Sequence, residues 1–293
     1  MENNNNIKVD TIQPSNKKLT LIYHIIIYIV CIFLAILSIV PFWLMFVNAT
    51  RSTVEIQANS VSLIPSKYLG FNWSVFTGKD FNPAVGFVNS LLIAAGATVL
   101  ALYFSSLTAY AQIAYEWKLK NAFFSFIMAV MMVPGQVTMI GFYQMCFRLG
   151  LTNNRLLLVL PAIAAPSMVF FMRQYLQPAL SMEIVHSARI DGAKEFYIFN
   201  KIVLPIMKPA LATQAIFSFV GNWNNLFTPL VLLTQPKKYT MPIMVTLLRG
   251  DIYKTELGSI YLGLTLTVLP LIIVYLVLSK YIIAGVALGS VKG

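Results

Sequence analysis

Between Met182 and Leu211 the chain reads MEIVHSARIDGAKEFYIFNKIVLPIMKPAL, which sets Glu183, His186, Arg189, Asp191, Lys194, Glu195, Lys201 and Lys208 between long apolar runs. Charges at this density cannot sit in lipid, where each costs about 2.5–3.5 kcal/mol or more at the bilayer centre. The interval therefore lies outside a membrane, and its chemistry is the display of charge to a partner. The stretch 183–190 holds no Gly or Pro and predicts a short helix with Ile184 and Ala188 on one side. Asp191-Gly192 breaks it, the glycine supplying a backbone conformation that other residues resist. Asp191 then N-caps a second helix running from Ala193 to about Val203, on which Phe196, Phe199 and Ile202 form an apolar stripe. Ser187 and Ala193 complete the helix, glycine elbow and helix, which together make a docking surface. Pro205 and Pro209 follow where the chain would re-enter the membrane.

A second polar group interrupts an apolar run at Asn222-Trp223-Asn224-Asn225. Within it, the indole of Trp223 and the amides of Asn224 and Asn225 can bond a passing solute or a neighbouring helix, and both readings stand. Catalytic material is scarce. The chain has two histidines, His24 and His186, in different surroundings, and no cluster of metal ligands or of nucleophile and base. His24 reads as an interfacial residue and His186 as a surface one. Cys31 and Cys146 fall in apolar runs and read as small core residues.

The elements that must position these groups are transmembrane helices. The 293 residues are 58% hydrophobic and 11% charged, against about 25% charged in a soluble domain. The net charge of +11 suits anionic headgroups. The Lys and Arg residues are scattered among short loops and form no nucleic-acid patch. The expected fold is all-α, an integral membrane protein of about six transmembrane helices with a helix-turn-helix loop between the fourth and fifth. Residues 1–18 read as a flexible cytoplasmic tail, 19–283 as one six-helix domain and 284–293 as a C-terminal tail. External loops are expected at about 48–85, lying along the membrane surface, and at about 234–256; the charged loop spans about 181–204. The third span is interrupted at Pro134-Gly135, and Pro161 and Pro166 kink the fourth. Both termini fall on one side, and the excess of Lys and Arg there makes it the cytoplasmic side.

The charged loop closely resembles the EAA loop of ABC-importer permeases, through Glu183, Ala188, Asp191, Gly192, Ala193, Leu204, Pro205 and Pro209. It departs from that pattern at the E-A-A itself, which here is His186-Ser187-Ala188. Further short strings resemble the MalG-like branch of carbohydrate ABC permeases. They are Asn89-Ser90-Leu91, Ala109-Tyr110-Ala111, Val133-Pro134, Leu149-Gly150-Leu151-Thr152-Asn153, Trp223-Asn224-Asn225 with Pro229-Leu230, and the closing Gly289-Ser290-Val291-Lys292-Gly293.

The resemblance implies a non-catalytic permease subunit in the cell membrane, paired with a second homologous permease. It also implies two ATPase subunits below, which bind ATP and Mg, and an extracellular solute-binding protein above. This chain itself would bind no cofactor. The stretch from Glu183 to Ala193 would be the ATPase-coupling element. The second external loop, with Lys237, Lys238, Arg249 and Asp251, would contact the binding protein. Trp223, Asn224 and Asn225 would lie on the path of a sugar, whose hydroxyls suit amides and whose apolar faces suit an aromatic ring. An ion-coupled carrier or channel is the other class, but it would want buried carboxylates, and no span centre holds one.

Overall fold

A computed structural model describes residues 17–78, 82–248 and 256–290, with side chains described from residue 20 to 279. Every regular element among the described residues is a helix. Four stretches are long and apolar enough to cross a membrane: Thr20–Asn48, Pro83–Ala114, Arg155–Ala179 and Leu257–Ser279. Two helix pairs, each bent at a short break, bring the number to as many as six.

Helix α1 (Lys17–Asn48) is apolar all round and exposed along almost its whole length. Such a helix needs lipid or another subunit to cover it. It leads into the first of the two loops expected to be external, which is folded. Helix α2 (Thr53–Ala58) opens on a capping box, in which Ser52 accepts from the Glu55 N–H and the Glu55 carboxylate accepts from the Ser52 N–H. The buried Arg51 guanidinium donates to Asn48 Oδ1, Asn59 O and Glu55 O. From helix α3 (Leu69–Thr77), Asn72 Nδ2 donates to Ala49 O at 2.8 Å and Arg51 O at 2.9 Å. This end of the molecule therefore carries its own core of Ala49, Phe76, Met241, Leu248, Ile260 and Leu262.

Helix α4 (Pro83–Ala114) is the central post. Ala94, Ala97, Ala101, Ser105 and Ala109 recur at helical spacing and are buried. Small residues in such a row let other helices approach closely. Beyond α4, helix α5 (Lys120–Met131) and helix α6 (Gly135–Arg148) meet at 95° across Pro134. The fourth span is not one α-helix. Its first part is two 3-10 turns, Arg155–Leu158 and Leu160–Ile163, and only Pro166–Ala179 (α7) is α-helical. Pro161 and Pro166 sit at positions one or two of their helical segments, where a missing N–H costs nothing. They start segments instead of kinking one.

The charged loop folds as α8 (Met182–Ile190), α9 (Glu195–Ile198), a widened π turn over Phe199–Val203, and α10 (Leu204–Ile206). An 80° bend then leads into α11 (Lys208–Trp223), followed by α12 (Phe227–Leu232). The second loop expected to be external is also partly folded. Helix α13 (Met241–Leu247) buries Met241, Ile243, Met244 and Val245 between α4 and the last helix, α14 (Leu257–Ser290). Gly285 and Gly289 lie in α14, so the expected tail is helical as far as Ser290, and residues 291–293, like 1–16, lie outside the described residues. A helix tolerates glycine at about 1 kcal/mol each where no proline follows.

Candidate functional site

The charged hairpin is built on two devices. The first is its elbow. Gly192 has φ +80°, the Ala193 N–H donates to Ala188 O at 3.0 Å, and the Gly192 N–H donates to Arg189 O at 3.0 Å. This is the 6→1 and 5→2 pair of a Schellman motif, with glycine at the left-handed position. Because the motif consumes Gly192 and Ala193, the next helix starts later than the sequence suggests. Asp191 is the C-cap of α8, at φ −68° and ψ 0°, and the N-cap of α9 is Lys194, which makes no side-chain cap bond. The expected N-cap role of Asp191 is thus corrected.

The second device is the buried face. In α8 it is Val185, with Met182 and Ala188 half-buried, and Ile184 is exposed. After the elbow the buried residues are Ile198, Phe199, Val203 and Met207, while Phe196 is exposed and Ile202 half-buried. The predicted stripe is therefore shifted, because the π turn adds a residue to the helical repeat. Glu183, His186, Ser187, Ile190, Asp191 and Gly192 all face outward, with Ile190 86% exposed. Glu183 in the first turn of α8 and Arg189 in the last both complement the helix dipole.

Behind this face, Arg189 Nε donates to Glu195 Oε1 at 2.6 Å, and the Tyr110 hydroxyl of α4 donates to Glu195 Oε2 at 3.0 Å. The Arg189 guanidinium also lies 5.3 Å over the Tyr115 ring. The Arg189 hydrogen bond, outweighing the cost of burial, holds the Glu195 carboxyl down to about 2. Its contribution to folding is thus present above the ordinary carboxylate range and is lost only as pH falls through that value.

The second candidate region lies where helices break. A cavity of about 390 Å³ opens between the start of α6, the 3-10 turns and the α11–α12 break. Its polar lining is Thr138, Asn222, Asn225 and Thr228. A second cavity, of about 330 Å³, shares Asn222 and Ala162 with it and adds Ser167, Gln214 and Ser218. Gln214, Ser218, Asn222 and Asn225 are spaced four, four and three apart, so they form one stripe running down α11 into its broken end. None of the described lining side chains of either cavity is charged. Interrupted backbone at membrane depth is tolerated where it faces protein or water.

Trp223 turns the other way. It is 1% exposed, donates from Nε1 to Thr267 O at 2.8 Å, and stacks with Phe219 at 5.7 Å and edge-on with Phe87 at 5.5 Å. It therefore joins α4, α11 and α14. Asn224 lines a separate cavity with Pro242, Thr246 and Thr267. Of the predicted triplet only Asn225 reaches the shared cavities. Gln214, Ser218 and Asn222, which the sequence reading did not single out as path residues, join it there; their signal is the four-residue spacing.

On the loop before α13, expected to contact a binding protein, Lys237 is exposed, while Lys238 Nζ donates to Asn153 O at 2.6 Å. Asn153 holds a left-handed backbone, φ 60°, and its Oδ1 accepts from the Thr234 and Gln235 N–H groups at 3.3 Å. Arg249 and Asp251 lie outside the described residues.

Comparison with known proteins follows the same outline. The arabinooligosaccharide transport system permease protein AraQ of Halalkalibacterium halodurans is 35% identical, over 89% of this chain and 94% of that relative. AraQ of Bacillus subtilis is 32% identical over 93% and 97%, and the lactose transport system permease protein LacG of Rhizobium radiobacter is 32% identical over 92% and 96%. A crystal structure of a bacterial ABC transporter involved in the import of the acidic polysaccharide alginate superposes with a TM-score of 0.75. That match covers 92% of this chain and 99% of the other, and at 23% identity it speaks to fold. The family model for the binding-protein-dependent transport system inner membrane component matches residues 101–287, which take in the C-terminal end of the central post, the hairpin, the polar stripe and most of the last helix. This multi-pass helical chain belongs to that family of transport permeases.

Proposed function

We propose that this chain is one of two membrane-spanning permease subunits of an ATP-driven importer, and that it passes a sugar or oligosaccharide delivered by an extracellular solute-binding protein. The carrying observation is the hairpin. An exposed helix face from Glu183 to Gly192 is backed by a core continuous with α4 and α7. The sugar is supported by the names of the relatives, which transport arabinooligosaccharides and lactose, and by the uncharged amide and hydroxyl stripe on α11.

In this reading the hairpin and both termini face the cytoplasm, and α8 docks on an ATPase that binds ATP and Mg. His186-Ser187 stands where the family carries Glu-Ala, so this docking face offers an imidazole and a hydroxyl in place of a carboxylate. This chain performs no catalysis and binds no cofactor. The folded outer end, with Lys237, receives the binding protein. Closure of the ATPases tilts the hairpin, and the shared cavities open to alternate sides of the membrane. Taking such an equilibrium from 1:99 to 99:1 needs about 5.5 kcal/mol of differential binding, which ATP-driven closure supplies.

Gentle extraction of the tagged chain from its native host tests this reading. A second permease and an ATPase should co-purify, and a solute-binding protein should stimulate ATP hydrolysis. A chain that emerges alone and stable would turn the reading towards an ion-coupled carrier or channel.

A further inference from the structure

The exposed face of the hairpin explains what could be grasped, but not how a pull on it reaches the cavities. Side chains on α4 supply an answer. Tyr103 and Tyr110 lie seven residues apart, two turns along one face of α4. Tyr103 packs edge-on against Phe199 at 5.5 Å, and its hydroxyl donates to Asn200 Oδ1 at 3.3 Å. Tyr110 packs against the same Phe199 at 5.9 Å and donates to Glu195. Phe199 is wholly buried and opens the π turn. Glu195 in turn accepts from Arg189, the last basic residue of the docking helix. Two hydrogen bonds therefore run without a gap from Arg189 of α8, through Glu195, to Tyr110 of α4.

We infer that Arg189, Glu195 and Tyr110 form a clasp that locks the docking helix to α4, so that the hairpin and the C-terminal half of α4 move as one body. The inference rests on the reading of α8 as the ATPase-docking helix. Glu195 and Tyr110 are positioning residues, set behind the docking face and away from both cavities. The carboxylate is the hub because each oxygen takes a different partner, and charge-assisted hydrogen bonds are short and directional. The core behind the clasp is continuous, with Ala109, Tyr110, Met172, Leu176, Val185 and Phe199 all buried in it. Close-packed interiors transmit displacement and do not absorb it. Flexure is left to the 80° bend between α10 and α11, flanked by Pro205 and Pro209.

The test uses the assembled transporter in liposomes. Wild type is compared with Glu195→Gln, with Tyr110→Phe, which keeps the ring against Phe199 and removes only the hydroxyl, and with the double variant. Three quantities are read: the ATPase bound, the basal hydrolysis, and its stimulation by the binding protein. Bound ATPase and basal hydrolysis should hold, while stimulation falls by about tenfold in each single variant, a usual size for coupling between sites. The double variant should be no worse than the poorer single one, as expected of groups acting as one unit. Wild-type stimulation in both single variants overturns the clasp. So does a double variant whose loss is the product of the single losses, or loss of bound ATPase in the variants, which would make these residues part of docking. Failure of the wild type itself to bind an ATPase overturns the docking reading beneath it.

Discussion

Single residues divide here into those that hold a shape and those that line a cavity. Gly192 holds a shape. A Cβ there would meet no other atom within 4 Å, so the objection to a side chain is the φ of +80° alone. For an L-residue that conformation costs roughly 1–2 kcal/mol. Gly192→Val should therefore leave the chain inserted and abolish uptake by mis-aiming α8, and Gly192→Asn should retain part of it, since asparagine tolerates this region. Normal uptake by the valine variant would show that the elbow angle is irrelevant to coupling. Trp223 and Asn222 make the contrasting pair. Truncating a buried tryptophan costs about 3–5 kcal/mol, so Trp223→Ala should lower the yield and melting temperature of the purified chain. Asn222→Ala should leave both in place and change the uptake rate in liposomes. The reverse pattern would put the indole in the path. The sequence marks this stretch as polar, but neighbouring positions on a helix point about 100° apart. Only packing against Phe87 and Thr267 shows that Trp223 and Asn222 look in different directions.

At the scale of elements, the helices that cross the membrane were legible and their interruptions only partly so. Pro134-Gly135 announces the break between α5 and α6, because proline removes a donor and restricts the residue before it. The 3-10 turns of the fourth span are less visible, since Leu156 to Ile163 is as apolar as any helix. The π turn at Phe199–Val203 carries no local signal. It is a tertiary effect, in which burying Phe199 between Tyr103 and Tyr110 shifts the apolar stripe by a residue. The two polar loops around α2 and α13 hid their structure for a related reason. Their polar side chains read as solvated, yet Arg51 and Asn72 spend those groups on backbone carbonyls within a buried cap. Gly258 belongs to the same cap, where even a methyl group would overlap the Arg51 carbonyl oxygen and the Asn72 amide. Sequence patterns show polarity, and only the fold shows what it is spent on.

In the whole molecule, one end is a folded cap, the other a clasped hairpin, and α4 joins them. The hairpin was readable as two helices about a glycine elbow, outside the membrane, because charge at that density cannot lie in lipid. The clasp was not, because Tyr110 and Glu195 are 85 residues apart. Between the two ends, the stripe of Gln214, Ser218, Asn222 and Asn225 carries amides and a hydroxyl but no ionisable group. A transmembrane voltage does work only on charge that crosses the field, about 2.3 kcal/mol per elementary charge per 100 mV. A neutral cargo moving along a neutral lining gives that voltage nothing to act on. Uptake by reconstituted liposomes should accordingly run at the same rate at zero and at about −100 mV, set by a potassium gradient and an ionophore. A steep voltage dependence would mean that charge travels with the cargo. With a flat response, the cell could lose its membrane potential and, while ATP lasted, go on feeding.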